Sequence, residues 1–331
     1  MSKVLIDCDP GHDDATAILY AARHLELVGI STVYGNQSVD KTTNNALSLK
    51  ALLGLDVPVA RGCEQPLNHV FSHGGDVHGK SGIDGAELPP PAGEAEDIHA
   101  VDFIIEMASR HREELVLCPI GPFTNVALAL RKEPRLKHWL RGISVMGGTT
   151  QVGNTTPVAE FNIWSDPEAA DIVYRAGVPM WMVGLNVTRQ VGIDLQDIEK
   201  LESGSTVART FGGLFRFFRE SLQKIHGLST ASMHDPCALV PFIVPDLITY
   251  RECPVEIETS HGLTRGMTVC DFRNLTTARL ENIRGRADAN CRVAVAVEGR
   301  ALVDHIVEAI MEWPEPSLQE RKTLGQVSAP T

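Results

Sequence analysis

No two of the seven cysteines, at 8, 63, 118, 237, 253, 270 and 291, form a Cys-x-x-Cys pair. An odd, scattered set excludes a disulfide framework or a zinc site and reads as small buried thiols in a reducing compartment. No apolar run is long enough to span a bilayer, and Met1-Ser2-Lys3 leads straight into a strand-like stretch, so a cytoplasmic protein with no membrane partner is expected. Positive charge is short too: 30 Lys and Arg against 42 Asp and Glu leave a net charge of −12. Such a chain lacks the basic footprint that phosphate backbones require, which argues against a nucleic-acid partner. Internal repeats and linkers are also missing, so residues 1–313 are expected as one domain and 314–331 as a frayed polar tail. What remains, 331 residues with 43% hydrophobic and 22% charged, is ample for a large α/β core.

Charge is most concentrated in Asp7-Cys8-Asp9-Pro10-Gly11-His12-Asp13-Asp14-Ala15, directly after the apolar Val4-Leu5-Ile6. Val4 to Ile6 reads as a buried strand and Ala15 to His24 as the following helix, with Pro10 and Gly11 making the turn. Asp9, at the strand end, then lies close to Asp13 and Asp14 in the first helical turn. Carboxylates packed this way repel, and a helix N-terminus offsets only about half a charge. A hard divalent ion, Ca²⁺ or Mg²⁺, neutralises such a group; helix capping by Asp13 and Asp14 is the plainer alternative.

The rest of the chain alternates. Strands are expected at Leu27 to Tyr34, Val57 to Ala60, Leu115 to Ile120, Ile143 to Met146 and Pro179 to Leu185. Helices are expected at Lys41 to Leu53, Val101 to Ser109, after Asn125 through Leu130, from Pro167, and through Ile193 to Ile225. This predicts an α/β fold with a mostly parallel central sheet flanked by helices, ligands gathering at the carboxyl ends of the strands. Asn36, Thr124, Asn154, Glu160 and Asn162 all follow such ends. Residues 62 to 97 lose periodicity and carry His69, His73 and His78 in a long loop. The Gly147-Gly148 loop lacks the Lys of a phosphate-binding loop. Phe211, Phe215, Phe217 and Phe218 read as packing residues. Val255 to Thr259, Met267 to Asp271 and Cys291 to Val297 read as partly exposed strands at an antiparallel edge, before a closing helix, Ala301 to Glu312.

The Asp7 to Ala15 stretch, Gly35-Asn36-Gln37, His78-Gly79-x-Ser81-Gly82, Gly121-Pro122-x-Thr124-Asn125, Met146-Gly147-Gly148, Ala159-Glu160-Phe161-Asn162 and His234-Asp235-Pro236-Cys237 occur in this order. Together they resemble the inosine-uridine nucleoside hydrolases, from residue 3 to about 312. The resemblance implies a single α/β domain with one Ca²⁺ held by Asp9, Asp14, the Thr124 carbonyl and Asp235. It further implies Asp9 as general base for the attacking water and Asp13 as the grip on the ribose hydroxyls. Asn36, Met146, Asn154, Glu160, Phe161 and Asn162 match the other substrate contacts. His78 and His234 match residues facing the departing base, with His234 as its proton donor. A homodimer or homotetramer acting on a small ribonucleoside is the implied assembly.

Cleaving an N-ribosidic bond builds positive charge on the sugar and negative charge on the base, which suits a carboxylate-rich pocket with a proton donor. The chain departs from its relatives between Phe217 and Met233, where Leu222, Ile225, His226 and Gly227 stand in place of aromatics; His226 is a further candidate for contact with the leaving group. His12 within the Asp motif is similar to the pyrimidine-preferring members of that family, so the resemblance implies uridine and cytidine, with a purine or broad preference as the alternative. A haloacid dehalogenase-like phosphatase and a nucleoside-binding protein without turnover are the competing readings.

Overall fold

Residues 1–71, 76–273 and 288–314 are described by the computed structural model. His73 and all of the expected tail except Pro314 lie outside the described residues. The first strand, β1 (Lys3–Cys8), is buried on both sides because its side chains alternate between two cores. Val4, Ile6 and Cys8 join one core and Leu5 the other. That two-sided burial is why the stretch reads as one continuous apolar run.

The central sheet continues through β2 (Glu26–Thr32), β3 (Val59–Arg61), β4 (Leu115–Pro119), β5 (Gly142–Met146) and β6 (Met180–Val183). After two short strands, β7 (Gly192–Ile193) and β8 (Ala231–Ser232), come β9 (Ile248–Cys253), β10 (Val255–Ile257), β11 (Thr268–Cys270) and β12 (Cys291–Val297). The eight-stranded order is β3-β2-β1-β4-β5-β6-β12-β9, parallel except for β9, which runs antiparallel to β12. Strand order reverses between β1 and β4, and at such a switch point the loops leaving the two strands diverge and open a crevice. The helices α1 (His12–His24), α2 (Val39–Leu53), α3 (Ala100–Arg110) and α4 (Thr124–Lys132) begin the two covering layers.

Two expectations are corrected. The helix expected from Ile193 to Ile225 is broken: Leu195–Glu202 and Thr206–His226 are separate. The Asp194 carboxylate caps the first, accepting from the Gln196 and Asp197 amides, and the Ser205 hydroxyl caps the second, accepting from the Ala208 amide. Local side-chain bonds of this kind compete with continuous helix. At the C-terminal side the edge is β9, a half-exposed strand the periodicity did not predict, and it shields β12. Among the described residues β10 and β11 pair with each other as a separate two-stranded sheet. No disulfide forms among the described residues, and no helix there is long and apolar enough to cross a membrane.

Candidate active site

Asp9 leaves the end of β1 at the switch point and is buried, 2% exposed. Its Oδ2 accepts the Asn36 amide at 2.7 Å, and the Asn36 side chain donates back to the Asp9 carbonyl at 3.0 Å. Glycine is required on both sides. A Cβ at Gly35 would lie 2.1 Å from Asp9 Oδ2, and one at Gly121, after β4, 2.5 Å from Oδ1. The three strand-end loops that the sequence marked therefore close around one carboxylate.

Asp14 caps its own helix from inside. It accepts the Gly11 amide at 2.9 Å, the Asp9 amide at 3.2 Å and the Asn36 side-chain amide at 3.3 Å. Asp13, Asp14 and Asp235 each bring a carboxylate oxygen within 4.8 Å of the others, and all three are buried. Burial first, and then the neighbouring carboxylates, hold Asp9 and Asp235 well above the usual carboxylate range. Asp13 is pushed up to about 8 by burial and Asp14's charge, and Asp14 to about 6 by burial, against the pull of its amide donors. Among the described residues no Lys or Arg pairs with any of these four groups. Buried oxygen donors without a cation are the chemistry that a hard divalent ion satisfies, so the residues present fit a metal. The tightest trio contains Asp13, which the resemblance assigned to ribose, and not Asp9.

Thr124 lies across the crevice at the start of α4. Its hydroxyl is committed, donating to Asp166 Oδ2 at 2.7 Å and lying 3.2 Å from the Tyr34 hydroxyl. Only its carbonyl is left for an ion. Asp166 was missed by sequence reasoning, since nothing local distinguishes it from a plain cap of the helix Pro167–Tyr174, which it also is. Asp7 is structural: Oδ1 accepts from Ser31 and Asn125, and burial pushes it to about 7.

The substrate-side candidates divide. Both Glu160 oxygens are engaged by backbone amides. Its oxygens accept the amides of Gly148 at 2.9 Å, Asn162 at 2.8 Å and Ile163 at 3.2 Å, capping the short helix Phe161–Ser165. Burial nevertheless pushes it to about 7. Asn162 donates to the Ile120 and Met146 carbonyls, fixing the ends of β4 and β5 together. Asn154 is exposed, and its side-chain Oδ1 accepts the amide of the half-buried Phe161 at 2.9 Å.

Three histidines gather beside the Asp stretch. His12 and His78 face each other through their Nδ1 atoms at 2.9 Å, and both stack on Phe218 of the long helix. His234, next to Asp235, places Nδ1 2.7 Å from the Thr188 hydroxyl. Burial drives His12 and His234 down to about 4 and His78 well below its usual value. His226 is exposed at the end of its helix and, among the described residues, joins none of these stacks. Residues 74–81 match the spacing of a phosphate-binding loop, but the Lys80 and Ser81 amides and the Ser81 hydroxyl all go to the Asp84 carboxylate.

A profile of the inosine-uridine preferring nucleoside hydrolases matches residues 4–304. The chain belongs to that family. As a nucleoside hydrolase it is an enzyme of the class that cleaves N-glycosyl bonds of ribonucleosides. It is 39% identical over 323 residues to a pyrimidine-specific ribonucleoside hydrolase of Shewanella sp. (strain ANA-3), covering 96% of this chain and 99% of the relative. A pyrimidine-specific enzyme of Photobacterium profundum is 42% identical over 315 residues, with 94% and 99% covered. Among solved structures, a purine-preferring ribonucleoside hydrolase from Gardnerella vaginalis superposes with a TM-score of 0.85 at 32% identity, covering 93% of this chain and 98% of that one. A plant nucleoside hydrolase superposes at 0.86 with 29% identity, covering 94% and 99%. The nucleoside hydrolase fold expected from the sequence is the one observed.

Proposed function

We propose that this nucleoside hydrolase acts on pyrimidine ribonucleosides, uridine and cytidine, with a bound Ca²⁺. The observation that carries it is the buried group of carboxylates at the β1/β4 switch point, without a cationic partner among the described residues, in a chain 39% and 42% identical to two pyrimidine-specific enzymes. Asp9, Asp14, the Thr124 carbonyl and Asp235 would hold the ion. When bound, such an ion neutralises the carboxylates, orients the ribose diol and moderately acidifies water.

The protein's own groups do the rest. Asp9, held by the Asn36 amide, takes the proton of the attacking water. Asp13 and Asn36 orient the ribose hydroxyls, with Met146, Asn154, Phe161 and Asn162 lining the sugar. Glu160 adds negative charge near the sugar, where positive charge develops, while its amide bonds hold it in place. His78 and His234 face the base, and His234, oriented by Thr188, is the proton donor to it, in the charged form that burial disfavours in the empty site and the negative charge growing on the base favours. The same reading carries a cytoplasmic homodimer or homotetramer.

Reducing-sugar release from a panel of ribonucleosides tests this. Uridine and cytidine should exceed inosine in kcat/KM by at least about ten-fold, and 2′-deoxyuridine should fall by at least about 10³-fold because buried polar groups lose their partner. Equal rates on inosine and uridine would overturn the pyrimidine assignment. For His234→Ala, a loss of about 10²-fold is expected on uridine, the lower range for a general acid. The loss should be about ten-fold smaller on p-nitrophenyl riboside, whose leaving group needs little protonation. Matching losses on both would remove His234 from the acid role.

A further inference from the structure

We propose that Gln37, Lys41 and Asn45 are positioning residues: spaced four apart along one stripe leading into α2, they donate in turn to the carbonyls of Gly79, Lys80 and Ser81, and so fix where His78 stands. This rests on the reading that His78 faces the base, and deepens it. Gln37 Nε2 donates to the Gly79 carbonyl at 3.1 Å, Lys41 Nζ to the Lys80 carbonyl at 2.6 Å and Asn45 Nδ2 to the Ser81 carbonyl at 3.0 Å. Residues four apart on a helix are neighbours on its surface, so Lys41 and Asn45 share a face of α2, and Gln37, just ahead of the helix, continues it. Three successive carbonyls of one loop thus meet three successive donors of one helix.

The orientation of each side-chain amide follows from its partners. Asn45 is buried, 4% exposed, and faces two carbonyls, that of Ser81 and that of Pro10, also at 3.0 Å. Carbonyl oxygens only accept, so the Asn45 amino group meets both. Gln37 Oε1 accepts from Lys41 Nζ at 3.1 Å, which leaves Nε2 for Gly79. The amides of the loop turn the other way. Those of Lys80 and Ser81 go to the Asp84 carboxylate, and that of Asp84 goes to the His78 carbonyl. A loop bonded only to itself can shift as a body; the α2 donors tie this one to the helix and, through Pro10, to the turn that carries the Asp cluster.

His78 has little room for such a shift. A Cβ at Gly11 would lie 2.7 Å from His78 Nδ1, and the His78 ring stacks on Phe218 with centroids 4.9 Å apart. Displacing a contact group by about 1 Å can cost about 10²-fold in rate. Gln37, Lys41 and Asn45 act on the base through His78, by holding the loop that follows it.

Two variants of the metal-loaded enzyme test this. Gln37→Ala/Lys41→Ala removes two donors without opening the core, since Lys41 is exposed and Gln37 half-buried. Asn45→Ala removes the buried donor, and if it fails to fold the double variant carries the test alone. Without substrate, amide hydrogen exchange across residues 79–84 should quicken by about ten-fold or more in each, about the effect of one net hydrogen bond, while β1 and β4 stay native. In kinetics, the double variant should lose about ten-fold more kcat/KM on uridine than on p-nitrophenyl riboside, whose leaving group needs little assistance. On a His78→Ala background the same two substitutions should cost uridine hydrolysis no more than about two-fold further, because their effect runs through His78. Native exchange at 79–84 in either folded variant would overturn the proposal. So would equal losses on the two substrates, or a loss that persists in full without His78, since both mark a merely structural role. Absence of any nucleoside hydrolysis in the native enzyme would instead defeat the functional reading, and exchange would still decide whether the α2 donors hold the loop.

Discussion

Asp9→Ala should lower uridine hydrolysis by at least about 10³-fold while leaving the melting temperature near that of the native enzyme. The activity loss follows from the place of this carboxylate at the switch point, where it is assigned both the ion and the proton of water. The fold is expected to persist because two opposed terms act on its removal. The Asn36 amide loses a partner, worth about 1 kcal/mol. Against that, burial and the charges of Asp14 and Asp13 make the ionised form of Asp9 costly in the folded protein, and deleting the carboxyl relieves both. Asp9→Asn serves as the isosteric control, keeping the space between Gly35 and Gly121 filled. Uridine turnover within a few-fold of native in either variant would sink the role given to Asp9.

The second large effect concerns the ion. Chelation should abolish turnover, and Ca²⁺ added back should raise the melting temperature, by about 2.7 kcal/mol of stability at a hundred-fold excess over Kd. Asp235→Asn should lose this response while making the chelated protein more stable than chelated native enzyme, because one member of a repelling trio is neutralised. The chelated native protein should also depend on pH in a defined direction. Folding raises Asp13 to about 8 and Asp14 to about 6 from an ordinary 3.8, so the folded state binds more protons than the unfolded one. Their contribution is fully present below about pH 4 and is lost as pH rises through 6 and 8. Thermal melts with and without chelator, from pH 4 to 9, check both signs. A chelated protein that grows more stable across that range, or an Asp235→Asn variant that still responds to Ca²⁺, would show that the cluster is not the ion's site.

Much of this was legible in the residues themselves. Period-two and helical patterns placed most strands and helices within a few positions, because two-sided burial forces apolar runs on β1, β4, β5 and β6 whatever the neighbours. The Asp9 to Asp14 cluster was legible because its members are local: a strand end, a two-residue turn and a helix start bring them together without help from the rest of the chain. β9 was not legible, since an edge strand exposes half its side chains and carries little apolar signal. The break at Ser203 to Ser205 was hidden because a serine hydroxyl bonded to one backbone amide leaves no trace in a hydrophobic pattern.

Sequence alone determined the fold class, the family and the presence of a carboxylate-rich site, all properties of local pattern or of motif order. Only the tertiary structure decided which groups share charge and protons. It brought Asp235 to Asp13 and Asp14, turned Glu160 into a helix cap, committed the Thr124 hydroxyl to Asp166, left His226 in solvent and set His12 against His78. The Thr124–Asp166 and His12–His78 contacts, 2.7 and 2.9 Å long, join residues 42 and 66 positions apart. A hydrogen bond's direction is fixed by the partner across the gap, and the partner is named only once the sheet has assembled.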